Sequence, residues 1–100
     1  MMGPKPKDFT PQELLIMSVL DEIGLRYAPQ YTIGTRWADF FIAELNAVIE
    51  ADGVYGHLRR ADRKRDAEIL AAGIEHVFHV DAKTRPRIKE QIWEFLNTLD

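Results

Sequence analysis

The chain contains no cysteine, which removes disulfides, thiolate metal sites and a cysteine nucleophile from consideration. It also lacks any long apolar run. Residues 1–9, MMGPKPKDF, carry lysines and prolines, so they read as neither a signal peptide nor a membrane span, and a cytoplasmic location is expected. An excess of one charge sign is missing too. The formal net charge is -3 from 13 Lys and Arg against 16 Asp and Glu, so nucleic-acid binding would have to rest on a local basic patch. What is present, 46% hydrophobic and 29% charged residues, is ordinary for a globular domain and too apolar for a disordered chain. One hundred residues suffice for one domain with a single modest core. Residues 1–9 read as a flexible leader and 10–100 as that domain.

Thr10-Pro11-Gln12-Glu13 is a capping box with proline at the first helical position, and Leu14, Leu15, Met17, Val19, Leu20 and Ile23 follow it. A helix is expected over 11–22, stopped at Gly24. Residues 25–33 read as a strand in which Pro29 demands an edge position or a bulge. Two further strands span 37–43 and 46–52. A second helix over 59–72 should turn Ala61, Ile69 and Leu70 inward and end at Gly73. Residues 74–80 read as a fourth strand, and Thr84 can cap a last helix whose Ile88, Ile92, Phe95, Leu96 and Leu99 recur at helical spacing. The third strand, second helix and fourth strand form a right-handed crossover with parallel strands. The expected class is α/β (α+β), with a mixed four-stranded sheet and helices for both faces.

Within 36–53, RWADFFIAELNAVIEADG, three acids interrupt apolar strands. A hairpin centred between Glu44 and Leu45 sets Asp39 opposite Glu50. Alternation then gives one apolar face of Ala38, Phe40, Ile42, Ala47, Ile49 and Ala51, and another holding Trp37, Asp39, Phe41, Val48, Glu50 and Asp52. Directly opposed like charges destabilise a sheet unless something offsets them. A bound cation would do so; Arg36, Lys83 or solvent are the plainer alternatives.

The pattern Gln30, Ile33-Gly34, Ala38-Asp39-Phe40-Phe41, Val48-Ile49-Glu50-Ala51-Asp52-Gly53, His57, Asp62, Arg65-Asp66, Ile69 and Gly73 resembles the compact endonuclease-like domains related to the very short patch repair endonucleases. These lie within the PD-(D/E)XK, restriction-endonuclease-like superfamily. The resemblance runs from the first helix to the fourth strand. It implies an αβββαβ core, here with an extra C-terminal helix, and Mg²⁺-dependent DNA hydrolysis with the metal on Asp39 and Glu50. The lysine usual two residues after the second acid is here Asp52, in agreement with the subgroup. Gln30 and Glu13 match family positions; Gln30 would contact metal-bound water or the phosphate, whereas capping accounts for Glu13.

Phosphodiester hydrolysis by such a site needs a hard cation, and Mg²⁺, for which Mn²⁺ can substitute, takes one or two carboxylates plus water and phosphate oxygens. Asp39 and Glu50 offer these, and the Ala51 carbonyl adds another ligand. Asp52 orients a water, binds a second metal or holds His57, or is simply the turn residue of an Asp-Gly pair. His57, in the loop after the acids, is a candidate general base or phosphate donor. His76 and His79 read as structural residues on opposite faces of the fourth strand. Arg59, Arg60, Arg63, Lys64 and Arg65 form a basic cluster suited to DNA phosphates, or a solvated face pairing with Asp62 and Asp66; Arg65 in the family pattern braces the acids. Arg36 is a further phosphate candidate, and Trp37 and Tyr55 are the aromatics best placed to meet a base. These features converge on a metal-dependent endodeoxyribonuclease or nickase. The competing reading is a non-catalytic DNA-binding or partner-binding module that keeps the nuclease fold. So short a chain leaves little surface to enclose a duplex, which favours a homodimer or a larger protein partner.

Overall fold

The computed structural model describes residues 9–52 and 59–99, with the side chains of 59–62 left aside. The elements follow as helix α1 (Pro11–Ile23), strands β1 (Ala28–Ile33) and β2 (Arg36–Ile42), a 3₁₀ turn (Ala43–Leu45), strand β3 (Ala47–Ala51), helix α2 (Arg59–Ala71), strand β4 (His76–Val80) and helix α3 (Arg85–Asn97). The strands lie in the order β1-β2-β3-β4. The first three are antiparallel and β4 runs parallel to β3, so the expected mixed αβββαβ arrangement with an added C-terminal helix is the observed one.

Local chemistry sets most boundaries. At the start of α1 the Thr10 hydroxyl accepts the Glu13 amide while the Glu13 carboxylate accepts the Thr10 amide, satisfying two helix-end donors reciprocally. Gly24, at φ 89°, ends the helix in the left-handed region that glycine enters without penalty. Pro29 sits on the edge strand β1, where its missing N–H costs no ladder bond. Asn46 takes a left-handed conformation, φ 50°. Its carbonyl accepts the Glu75 and His76 amides and its side chain donates to the Gly73 carbonyl. Residues 74–75 are thereby used as a lead-in, and β4 starts later than the apolar run suggests. Thr84 has the extended backbone of an N-cap, but its hydroxyl makes no capping bond.

Two apolar clusters sandwich the sheet. On one face Phe40, Ile42, Ile49 and Val80 pack against Ile16, Val19 and Leu20 of α1 and Ile88 and Ile92 of α3. Gln12 reaches across from α1 to donate to the Val80 and Ala82 carbonyls, so this buried amide is paired rather than orphaned. On the other face Ile33, Ala38, Val48, Ile69 and Ile74 cluster, with Phe41 and Val77 against them. Two sequence expectations fail here. Leu70, expected inward with Ile69, is 45% exposed, because α2 presents a single narrow seam to the sheet. Ala38, expected beside Phe40, belongs to the α2-side cluster; it lies beyond the point where the β2–β3 ladder gives way. The glycine loop at 53–57 lies outside the described residues, as do the Ala61 side chain and nearly all of the expected leader. None of the described helices is long and apolar enough to cross a membrane.

Truncating Phe40, which is wholly buried, to alanine should cost about 3–5 kcal/mol of unfolding free energy. Leu70→Ala should cost under about 1 kcal/mol. Urea unfolding of the two variants measures both.

Candidate active site

The β2–β3 ladder runs from Ile42↔Ala47 to Phe40↔Ile49 and then changes character. The Asp39 amide donates to Glu50 Oε2 at 2.7 Å, and the Ala51 amide donates to Asp39 Oδ2 at 2.8 Å. Each carboxylate therefore takes a donor that a strand carbonyl would take in a regular antiparallel ladder. The opposed acids become interlocked with the facing backbone, through charge-assisted bonds stronger than neutral ones.

Glu50 is only 2% exposed, and its other oxygen, Oε1, forms an ion pair with Arg65 of α2. Arg65 also donates to the Trp37 carbonyl, so the guanidinium spans from α2 to both strands that carry the acids. Even so, the Glu50 carboxyl is pushed up to about 7. Burial is the main cause and the negative charge of Asp39 the next; the Asp39 amide, Arg65 and His79 pull the other way without prevailing. One guanidinium cannot replace the water that Glu50 has lost.

The parallel β3–β4 register sets His79 beside Glu50. From there the imidazole bridges two aspartates, Nδ1 lying 2.8 Å from Asp52 Oδ1 and Nε2 2.7 Å from Asp66 Oδ2. Burial alone would lower the imidazole pKa, but the bonds to Asp52 and Asp66 together with their charges outweigh it and raise the value. From the sequence His79 is expected to be structural. Its one available signal was positional: a parallel crossover from β3 to β4 brings some β4 residue beside Glu50, but which one depends on a register that the helix between the strands hides. His76 points to the opposite face, where its ring stacks near Phe78 and Phe78 stacks on Phe95 of α3.

The remaining candidates divide clearly. Gln30 lies across from Asp39, between the pairs Pro29↔Phe40 and Tyr31↔Ala38. Its φ of 52° is in the left-handed region, uncommon for a residue with a long side chain, and its Nε2 is buried without a hydrogen-bond partner among the described residues. Arg36 pairs with Glu68 through two bonds of 2.8 and 2.9 Å, with both side chains still partly exposed. Arg63 and Lys64 are exposed on α2. Lys83 donates to the Asp52 and Asp81 carbonyls, not to the acids' side chains. Glu13 occupies the α1 capping box. His57 and Tyr55 lie outside the described residues, as do the side chains of Arg59 and Arg60.

Among the described residues, no group of three or more His, Asp or Glu side chains is placed to cage a metal. A hard divalent cation at the Asp39–Glu50 pair would instead have few protein ligands and would complete its shell with water and substrate oxygens, as Mg²⁺ commonly does. The adjacent carboxylates fit such an ion: a positive charge beside them would offset both the burial and the Asp39 charge that raise Glu50.

A solved structure of the homing endonuclease I-Bth0305I catalytic domain is similar to this chain, with a TM-score of 0.70 at 22% identity, covering 92% of this chain and 98% of that one. The likeness shows a common fold. No family model and no curated protein matches the chain.

The raised Glu50 value has a signed consequence for the metal-free protein. Because the folded state holds this proton more tightly than the unfolded chain, whose ordinary value is 4.5, the Glu50 contribution to stability is fully present below 4.5 and is lost as pH rises to about 7. The loss amounts to about 3 kcal/mol. The raised His79 value acts in the same direction, its contribution being lost as pH rises through the folded-state pKa. Glu50→Gln should flatten most of this slope and raise the urea midpoint at pH 8 above wild type, measured across pH 4.5 to 8 without divalent ions.

Proposed function

We propose that the chain is a metal-dependent endodeoxyribonuclease or nickase of the PD-(D/E)XK type, allied to the very short patch repair endonucleases. The observation that carries this reading is the interlocked Asp39–Glu50 pair, in which two carboxylates are fixed side by side in the sheet although they repel. Asp39 and Glu50 would hold Mg²⁺ or Mn²⁺, with the Ala51 carbonyl as a further ligand. Such an ion, when bound, supplies charge at the phosphoryl oxygens and lowers the pKa of a water.

The chain's own residues have separable parts in this reading. Arg65 fixes the rotamer of Glu50 and limits its protonation. Asp52, on the same side of β3 as Glu50 by strand alternation, stands where the superfamily usually has lysine and orients the attacking water. Gln30 donates its unpartnered amide toward a water or phosphate oxygen beside Asp39. Exposed Arg63 and Lys64, with Arg59 and Arg60 earlier on the same helix, meet the DNA backbone and would make binding weaken with salt. His57 remains a second candidate for handling the proton. A homodimer, or a partner protein, would extend the small DNA-contacting surface. The similarity to a homing endonuclease catalytic domain supports the assignment at the level of fold. The substitution of Asp52 for the usual lysine favours one alternative, a DNA-binding module without turnover.

Purified protein should convert supercoiled plasmid to nicked or linear forms with Mg²⁺ or Mn²⁺ and not with EDTA. Asp39→Asn and Glu50→Gln should each lower the rate by about a hundredfold or more while leaving the melting temperature unchanged or higher. Full cleavage by both variants would rule the site out, and tight DNA binding by a wild type that never cleaves would favour the non-catalytic module.

A further inference from the structure

We propose that His79 is a positioning residue, which holds the Asp52 carboxylate in place for water orientation by bracketing it against Asp66. The inference rests on the nuclease reading and assigns a role within the same site. Neither ring nitrogen of His79 is left over, since each lies within 2.8 Å of a carboxylate oxygen. Carboxylates only accept, so both nitrogens carry protons when the aspartates are ionised. A histidine in that state cannot take a proton from water. The histidine nearest the acids in the described structure is therefore spent as a donor, and the task of orienting water passes to the group it holds.

Asp52 is suited to receive it. Its backbone is fixed at both ends, the amide donating to the Val80 carbonyl and the carbonyl accepting from Lys83. With Oδ1 committed to His79, the carboxylate can no longer rotate freely, yet the side chain keeps 25% of its surface exposed. A positively charged imidazole placed between Asp52 and Asp66 draws the two carboxylates to one ring. The geometry also ties this bracket to the carboxylate pair. Arg65 grips Glu50, while its neighbour Asp66 grips Asp52 through His79, so one turn of α2 sets the positions of both acids relative to each other.

The two polar halves of the imidazole can be tested separately. Asparagine at position 79 keeps a donor near the place of Nδ1 and so can still reach Asp52. Glutamine keeps one near the place of Nε2 and reaches Asp66. Single-turnover plasmid cleavage at saturating protein and Mg²⁺, DNA affinity measured with Ca²⁺ in place of Mg²⁺, and circular dichroism should be read on wild type, His79→Asn, His79→Gln and His79→Ala. Cleavage by the Gln and Ala variants should fall about ten- to a hundredfold, with DNA affinity and folded fraction unchanged, and His79→Asn should retain most of the rate. A bracket that merely ties β4 to α2 predicts the reverse order, with Gln better than Asn, and that result would overturn the proposal. So would wild-type rates in all three variants, or rate losses that follow loss of folded protein. A wild type that does not cleave at all removes the nuclease reading itself and this role with it, an outcome distinct from active wild type with indifferent variants.

Discussion

The structure depends most on the exchange between two strands at Asp39 and Glu50. Opposed acids in adjacent strands should weaken a sheet, and here they are kept by giving each carboxylate a backbone amide from the facing strand. The cost of that solution is visible in Glu50, which is almost fully buried and whose pKa rises to about 7. A sheet built only for stability would place apolar residues at these two positions. Retention of a strained pair, where neighbouring positions are filled by Phe40, Val48 and Ile49, is the physical argument for a site.

The rest of the fold keeps this pair from relaxing. Helices α1 and α3 pack the far face of the sheet, so β2 and β3 cannot separate further on that side. Helix α2 closes the near face, contributing Ile69 to the apolar seam and Arg65 and Asp66 to the polar one. The charges alternate across this polar layer, with Arg65 against Glu50 and His79 between Asp52 and Asp66. Partly buried ion pairs of this kind are a weak source of stability, and their use here is geometric: they fix carboxylate orientation to within a hydrogen-bond length.

Much of this was legible in the sequence where the controlling interactions are local. The capping box at Thr10–Glu13, the edge position of Pro29 and the β2–β3 hairpin register from Ile42↔Ala47 to Phe40↔Ile49 all follow from short-range rules, and the structure has each of them. Errors came where tertiary geometry decides. Leu70 obeys helical spacing but lies off the narrow seam that α2 presents, and Ala38 obeys strand alternation but lies past the end of the ladder. The partners of His79 are not legible in the sequence, because they come from the end of β3 and from α2, and nothing in sequence spacing alone sets the β3–β4 register that brings it to Asp52. The pairing of Arg36 with Glu68 is likewise not legible in the sequence, because the two are distant along the chain.

Asp39 and Glu50 are proposed to form a divalent-cation site together. Mn²⁺ binding followed by electron paramagnetic resonance on the purified protein tests it without requiring cleavage. A site present in wild type and lost in both Asp39→Asn and Glu50→Gln is the expected result; Mn²⁺ binding that is absent from wild type, or that survives in both variants, would contradict it.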